Sequence, residues 1–274
     1  MTTSAPEIAA GARPGLTAAR ARLGLVALLF GVAALGWWST ADRMQGMDEG
    51  PWTALGTLGW FVGVWIVMMA AMMFPSLAPT VALYARMATD RLSPLLFTAG
   101  YLVVWGAAGV AAFAIARLGG EVAGDVLAWD RAGRWVAGTT LLVAAAYELT
   151  PLKDVCLAKC RSPLGFLLGS WRGGRAGGLQ MGARHGAWCV GCCWALMASL
   201  FALGLMSLVW MAFVAAIIAA EKTLPWRRVA TCGTAGILLV LGVLLLAAPD
   251  VVPALTIPGA GPMPQMQPMQ QMGS

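Results

Sequence analysis

Charged side chains are scarce in this chain of 274 residues. Asp, Glu, Lys and Arg together make up 11% of it, there is one histidine, and 59% of the residues are hydrophobic. A water-soluble domain of this length needs a far more polar surface, so the composition excludes one. The sequence also lacks a glycine-rich phosphate loop, a catalytic serine elbow and an ATPase motif, and it therefore offers no sign of nucleotide-driven chemistry.

The hydrophobic residues are gathered in long runs of the length that crosses a bilayer. Because these runs do not alternate with polar residues, they predict helices rather than a β-barrel. We therefore predict an all-α fold, a polytopic transmembrane bundle with about seven spans. The predicted spans are 23–39, 55–74, 94–116, 134–150, 184–204, 206–220 and 229–248.

Three regions follow from this pattern. Residues 1–22 form a basic N-terminal tail that we expect to be disordered, 23–248 form a transmembrane metal-binding domain, and 249–274 form a tail rich in Pro, Met and Gln. Within the domain, Pro75 and Pro79 are expected to break or kink the second helix. The Arg-Gly run at 172–178 is expected to be a flexible part of the loop 151–183.

The basic residues predict an orientation. If the N-terminus lies in the cytoplasm, 14 of the 18 Lys and Arg residues fall on the inner side. The positive-inside rule then places the chain as a multi-pass protein of a bacterial inner membrane, with its C-terminus outside. The basic residues orient the protein in the lipid bilayer and do not indicate a nucleic-acid partner. Trp37 and Trp38 favour an uncleaved first span, with a secretory signal as the alternative.

The most specific pattern lies in the run GARHGAWCVGCCWALM. At about 100° per residue, His185, Cys189, Cys192 and Cys193 fall on one face of a helix, within an arc of roughly 100°. Thiolate and imidazole together suit Cu(I) or Zn(II). Small buried hydrophobic residues are the alternative, and we prefer it for the isolated Cys232.

A second pair of thiols precedes this run. Cys156 and Cys160 are four residues apart, so both would point the same way on a helix. The loop that contains them leads into the fifth predicted span and could fold over the first cluster to complete a site. The alternative is a surface loop with incidental thiols.

Two groups of methionines add to the sulfur content. Met68, Met69, Met72 and Met73 lie in the inner half of the second span, and thioethers bind Cu(I) but have little use for zinc. They could equally be ordinary core residues. In the tail, methionine recurs every third residue, which would align thioethers along a polyproline II segment. These tail residues are Met263, Met266, Met269 and Met272.

Glu148 is a carboxylate near the inner end of the fourth span, where it needs a partner. We expect Lys153 or Arg184 to supply it. Support of His185 through a hydrogen bond is the alternative.

These stretches carry a resemblance to a known family. The chain resembles bacterial integral membrane proteins predicted to bind metal, formerly a domain of unknown function, some of which are described as membrane copper chaperones that serve a tyrosinase-type polyphenol oxidase. The resemblance spans residues 65–222 and implies copper delivery to a copper-requiring enzyme. It rests on WIVMMAAMMFPSLAP, YELTPLKDVCLAKCRSP, GARHGAWCVGCCWALM and Glu221-Lys222.

The leading hypothesis is a non-enzymatic Cu(I) chaperone or metallation factor. Its primary ligands would be His185, Cys189, Cys192 and Cys193, with Cys156 and Cys160 as an entry site, and with Met69, Met72 and Met73 as a weaker relay. Zn(II) is compatible with the Cys/His set taken alone. The runner-up is a membrane thiol–disulfide oxidoreductase that uses Cys189/Cys192 and Cys156/Cys160. A third possibility is an assembly scaffold with structural thiols.

Overall fold

The computed structural model describes residues 14–44, 56–123, 132–203 and 208–248, and these fold as helices with short connections. The described part of the chain contains no strand, so the predicted all-α class is confirmed. The helices are α1 Pro14–Met44, α2 Leu58–Met87, α3 Ser93–Ala123, α4 Arg134–Glu148, α5 Pro151–Arg161, α6 Pro163–Ser170, α7 Gly174–Leu203, α8 Leu208–Thr223 and α9 Arg227–Ala247.

Five helices are long and apolar enough to cross a membrane, namely α1, α2, α3, α7 and α9. The helices α4 and α8 occupy two more of the predicted spans, and their described lengths are 15 and 16 residues. The first helix begins at Pro14, so the predicted tail boundary at residue 22 falls inside a helix. The methionines of the predicted C-terminal tail lie outside the described residues.

The second helix does not end near its prolines. It continues through Pro75 and Pro79 to Met87, so of the two predicted effects the break is wrong, and the predicted span end at residue 74 lies inside the helix. Proline in a membrane helix is tolerated where neighbouring groups take up the freed backbone.

The helix α7 corresponds to the fifth predicted span, 184–204, but begins ten residues earlier, at Gly174. Its additional turns pack against α3 through glycines. Gly178, Gly182 and Gly186 recur every four residues and form one stripe on α7. A Cβ on Gly178 would lie 2.8 Å from the carbonyl oxygen of Ser93, and one on Gly182 would collide with the carbonyl of Phe97. Small residues at this spacing let two membrane helices approach closely. The Arg-Gly run is therefore helical from Gly174 onward rather than a flexible loop.

Two short helices cover one end of the bundle. In α5, the hydroxyl of Thr150 accepts a hydrogen bond from the backbone N–H of Lys153, and Pro151 occupies the first helical position. Its buried face, which includes both of its cysteines, lies against α7. The next helix, α6, buries Phe166 and Leu167 in the same core.

We predict that Gly182→Ala destabilises the protein by about 1–3 kcal/mol, because an added methyl group has no room between α7 and α3. The matched control is Gly236→Ala on α9, where a Cβ would meet nothing within 4 Å. Both changes gain the same helix propensity, so their difference isolates packing. Thermal unfolding of the two variants in detergent checks this, and equal midpoints would show that the α3–α7 contact is looser than described.

Candidate metal centre

Three thiols of α7 converge in the interior of the bundle. Cys189, Cys192 and Cys193 are all buried, and their sulfur atoms lie within 4.8 Å of one another. The spacing i, i+3, i+4 puts the three side chains on one helix face. Three soft donors at this separation could contact a single ion after small side-chain movements.

A fourth sulfur comes from α5. Cys160 is buried, and its sulfur lies 3.7 Å from that of Cys192. Cys156 is also buried, and a Cβ on Gly191 would lie only 2.8 Å from its sulfur. The glycine thus leaves the room on α7 that Cys156 fills. Of the two alternatives for the Cys156 and Cys160 pair, the structure has the one in which the pair lies against the thiols of α7.

Buried ion pairs hold α5 in this place. The Lys153 ammonium is fully buried and pairs with Glu148 of α4 and with Glu221 of α8, the latter at 2.7 Å. Arg161 donates to the backbone carbonyls of Glu221 and Leu224 at the end of α8. Of the two partners predicted for Glu148, Lys153 is the one it contacts.

The α7 thiols are oriented by their own helix. Cys192 and Cys193 both donate to the carbonyl oxygen of Cys189, at 3.2 and 2.8 Å. Hydrogen bonds with Cys189 and Cys192, together with burial, hold the pKa of the Cys160 thiol well above its usual range. Burial also raises the pKa of Cys156. Both α5 thiols are therefore protonated at neutral pH, and a soft cation would have to displace the proton in order to bind.

Two polar groups face the sulfur of Cys189. The hydroxyl of Tyr101 on α3 lies 3.1 Å from it, and the ammonium of Lys222 on α8 donates to it at 3.1 Å. The α3–α7 glycine stripe brings Tyr101 to this position. The sulfur of Cys189 therefore has a hydroxyl and a positive charge as direct neighbours.

His185 lies one turn before Cys189 and is buried, but it does not belong to the group of three thiols. Its ring packs against Phe97, Tyr101 and Phe166, with the Phe166 centroid 4.9 Å away in an edge-on arrangement. Its Nδ1 has no hydrogen-bond partner among the described residues. A buried ring nitrogen without a hydrogen-bond partner is available as a nitrogen ligand for a metal ion.

The four methionines of α2 are all buried in the same core. Met73 is connected to the thiols through Lys222. The Lys222 ammonium donates to the sulfur of Cys189 and lies 3.9 Å from the sulfur of Met73. Met69 and Met73 are completely enclosed, and Met68 and Met72 are nearly so. The exposed position of Cys232 on α9 differs from the buried site expected for a lone cysteine.

Several residues around the thiols were not found from the sequence. Tyr101 sits in an ordinary apolar run, and the glycine stripe of α7 lies in a segment that composition marks as a loop. Glu221 and Lys222 carried a detectable signal, because adjacent charges at the end of an apolar run need partners. Their contacts with Lys153 and Cys189 supply those partners.

Comparison with known proteins gives one family. A family model described as PpoB2, copper chaperone, matches residues 62–245. This stretch includes all six cysteines, the histidine and the four methionines of α2. No curated protein and no solved structure matches the chain.

We predict that Lys153→Met leaves two buried carboxylates without a counter-charge and costs about 3–5 kcal/mol of stability. Because the lysine holds α5 against α7, Cys156 and Cys160 should also react faster with a thiol reagent in detergent. The control Lys159→Met removes an exposed cation from the same helix and should change stability by less than about 0.5 kcal/mol. Wild-type thiol reactivity in the Lys153 variant would show that the ion pairs do not hold α5.

Proposed function

Because this chain belongs to the PpoB2 copper chaperone family, we propose that it binds Cu(I) within the membrane and delivers it to a copper enzyme. The observation that carries this proposal is the set of four buried thiols from α7 and α5, with Cys160 and Cys192 in contact. Sulfur donors of this kind select Cu(I), which accepts two or three of them. The copper ion is the cargo, and the chain acts as its carrier rather than as an enzyme.

The primary site would be formed by Cys189, Cys192 and Cys193. His185 would join it as a nitrogen donor, which its unpartnered Nδ1 supports. The α5 thiols, Cys156 and Cys160, would act as a gate or entry site and receive the ion first. From the primary site the ion would pass to a weaker relay, because a neutral thioether binds Cu(I) less strongly than a thiolate. This relay would be formed by Met69, Met72 and Met73.

The recipient would be a tyrosinase-type polyphenol oxidase, as the sequence resemblance implies. The family description supports a copper-requiring partner and not this particular one. Methionines in the tail 249–274 would assist delivery beyond the membrane. In an oxidising compartment thiols pair as disulfides, whereas thioethers do not.

We further propose that the protein spans a bacterial inner membrane about seven times, with its N-terminus and both thiol groups on the cytoplasmic side. The distribution of Lys and Arg supports this orientation. In the reducing cytoplasm the cysteines stay thiols and remain free to bind metal.

A second candidate function is thiol–disulfide exchange. The distance of 3.7 Å between the sulfurs of Cys160 and Cys192 favours it, since a small movement would join them. The two functions predict opposite outcomes, because an oxidoreductase works without metal and cycles through a disulfide.

The orientation is tested with cysteines introduced at exposed positions near the two ends of the bundle, in a Cys232→Ser background. We expect an impermeant thiol reagent to label Arg117→Cys in intact cells, and to label Lys159→Cys only after the membrane is permeabilised. Both side chains are exposed, so access to the reagent depends on the side of the membrane. The reverse pattern would invert the proposed topology.

Copper binding is tested with Cys189→Ser combined with Cys193→Ser. Serine keeps the size but loses the soft donor, so the double variant should lose stoichiometric Cu(I) while remaining folded and inserted. Copper per protein is measured after purification and reconstitution with Cu(I).

The matched control is Cys232→Ser, which removes an exposed cysteine far from the cluster in sequence and should keep wild-type copper. Full copper in the double variant would show that the cluster serves packing alone. Metal-free wild-type protein with a Cys160–Cys192 disulfide would instead favour thiol–disulfide exchange.

A further inference from the structure

One cation lies between the thiols and the methionines. The ammonium of Lys222 donates to the sulfur of Cys189 at 3.1 Å and to the hydroxyl of Ser76 at 3.3 Å, and it lies 3.9 Å from the sulfur of Met73. Cys189 belongs to α7, whereas Ser76 and Met73 belong to α2. Lys222 itself is in the last turn of α8, which packs against both helices.

This position is the one that a copper ion would need. An ion that leaves the Cys189 sulfur for the Met73 sulfur must at some moment contact both, and the ammonium already occupies the space that both sulfurs face. The contacts of Lys222 also match those of a soft cation at this point, with one thiol, one thioether and one hydroxyl around it.

From this geometry we propose that Lys222 is a tethered cation that closes the passage between the thiol cluster and the methionines, and that copper moves past it only when its side chain swings aside. The proposal rests on the function proposed above. Lys222 is a positioning residue in this scheme, because it acts on the ion through charge and space and is not itself a ligand.

Charge explains why the closed state is the resting one. Cu(I) held by two thiolates carries a net charge of −1, which the ammonium neutralises. Cu(I) held by thioethers keeps its charge of +1, which the same ammonium repels. Lys222 therefore favours copper at the thiols and opposes its early transfer. In the transfer step, a bond from copper to the Cys189 sulfur breaks and one to the Met73 sulfur forms, and copper stays Cu(I) throughout.

The proposal requires the ammonium of Lys222 to leave the enclosed position in which it contacts Cys189, Ser76 and Met73. The residue as a whole is partly exposed, in contrast to Lys153, which is fully enclosed between two carboxylates. A lysine carries its charge on a flexible four-carbon stem, so the ammonium can leave the sulfurs for the bundle end without a change in the backbone.

The test is the rate at which Cu(I)-loaded protein in detergent gives up copper to an excess of a colorimetric Cu(I) chelator. We expect Lys222→Gln to release copper about tenfold faster than wild type, because it removes the charge without adding a soft donor, and Lys222→Arg, which keeps the charge, to stay within about threefold. Lys159→Gln, which removes an exposed cation, should release copper at the wild-type rate. Lys222→Leu serves as a second neutral variant should the glutamine variant unfold, with the same expected increase.

A double variant tests the passage itself. Lys222→Gln combined with Met73→Leu should return release to within about threefold of the wild-type rate, since leucine keeps the volume but cannot accept the ion. X-ray absorption of the Cu(I)-loaded proteins gives a second readout, with an added sulfur neighbour in Lys222→Gln that disappears in the double variant.

Three results would overturn the proposal: wild-type release from Lys222→Gln, equally fast release from Lys222→Arg, or fast release that persists without Met73. A failure of the proposed function has a different signature. In that case the wild-type protein binds no Cu(I) that depends on Cys189 and Cys193, and the role of Lys222 falls with it.

Discussion

The arrangement of the site depends on one buried ammonium, that of Lys153. It joins three helices, because Glu148 ends α4 and Glu221 lies near the end of α8, while Lys153 itself lies in the first turn of α5. Such a charge cannot be left alone in an apolar interior, so the two carboxylates and the lysine must stay together. A helix of only 11 residues is thereby held against α7, and its thiols reach sulfurs they would otherwise not meet.

The glycine stripe of α7 has the complementary role on the other side. It allows α3 to approach until Tyr101 touches Cys189, and it fixes the rotation of α7 about its own axis. Since His185 and the three cysteines share one face of that helix, a rotation would carry all of them away from the core. The backbone contact at Gly182 thus determines where the sulfurs point.

The sequence was sufficient for the helical class and for the bounds of α4, α8 and α9 to within a few residues, and it offered the approach of the Cys156 and Cys160 pair to the first cluster as one of two alternatives. These depend on composition and on helical periodicity, which are local properties. It failed at the Arg-Gly run and in allowing a helix break at Pro75 and Pro79, because local propensity marks these as breaks whereas packing against neighbouring helices overrides it. Tyr101 and the contact from Lys222 to Cys189 depend on how helices far apart in sequence come together, and no local pattern encodes that.

The continuous course of α2 through two prolines has a mechanical consequence. Proline has no backbone N–H, so the carbonyls of Ala71 and Pro75 lack the helical donor that residues four positions later would supply. Two rungs of the hydrogen-bond ladder are therefore missing on either side of Met72 and Met73, which makes this turn the most compliant part of the helix. The thioethers thus lie where the span bends at least cost, so they can shift together while the rest of the bundle keeps its shape.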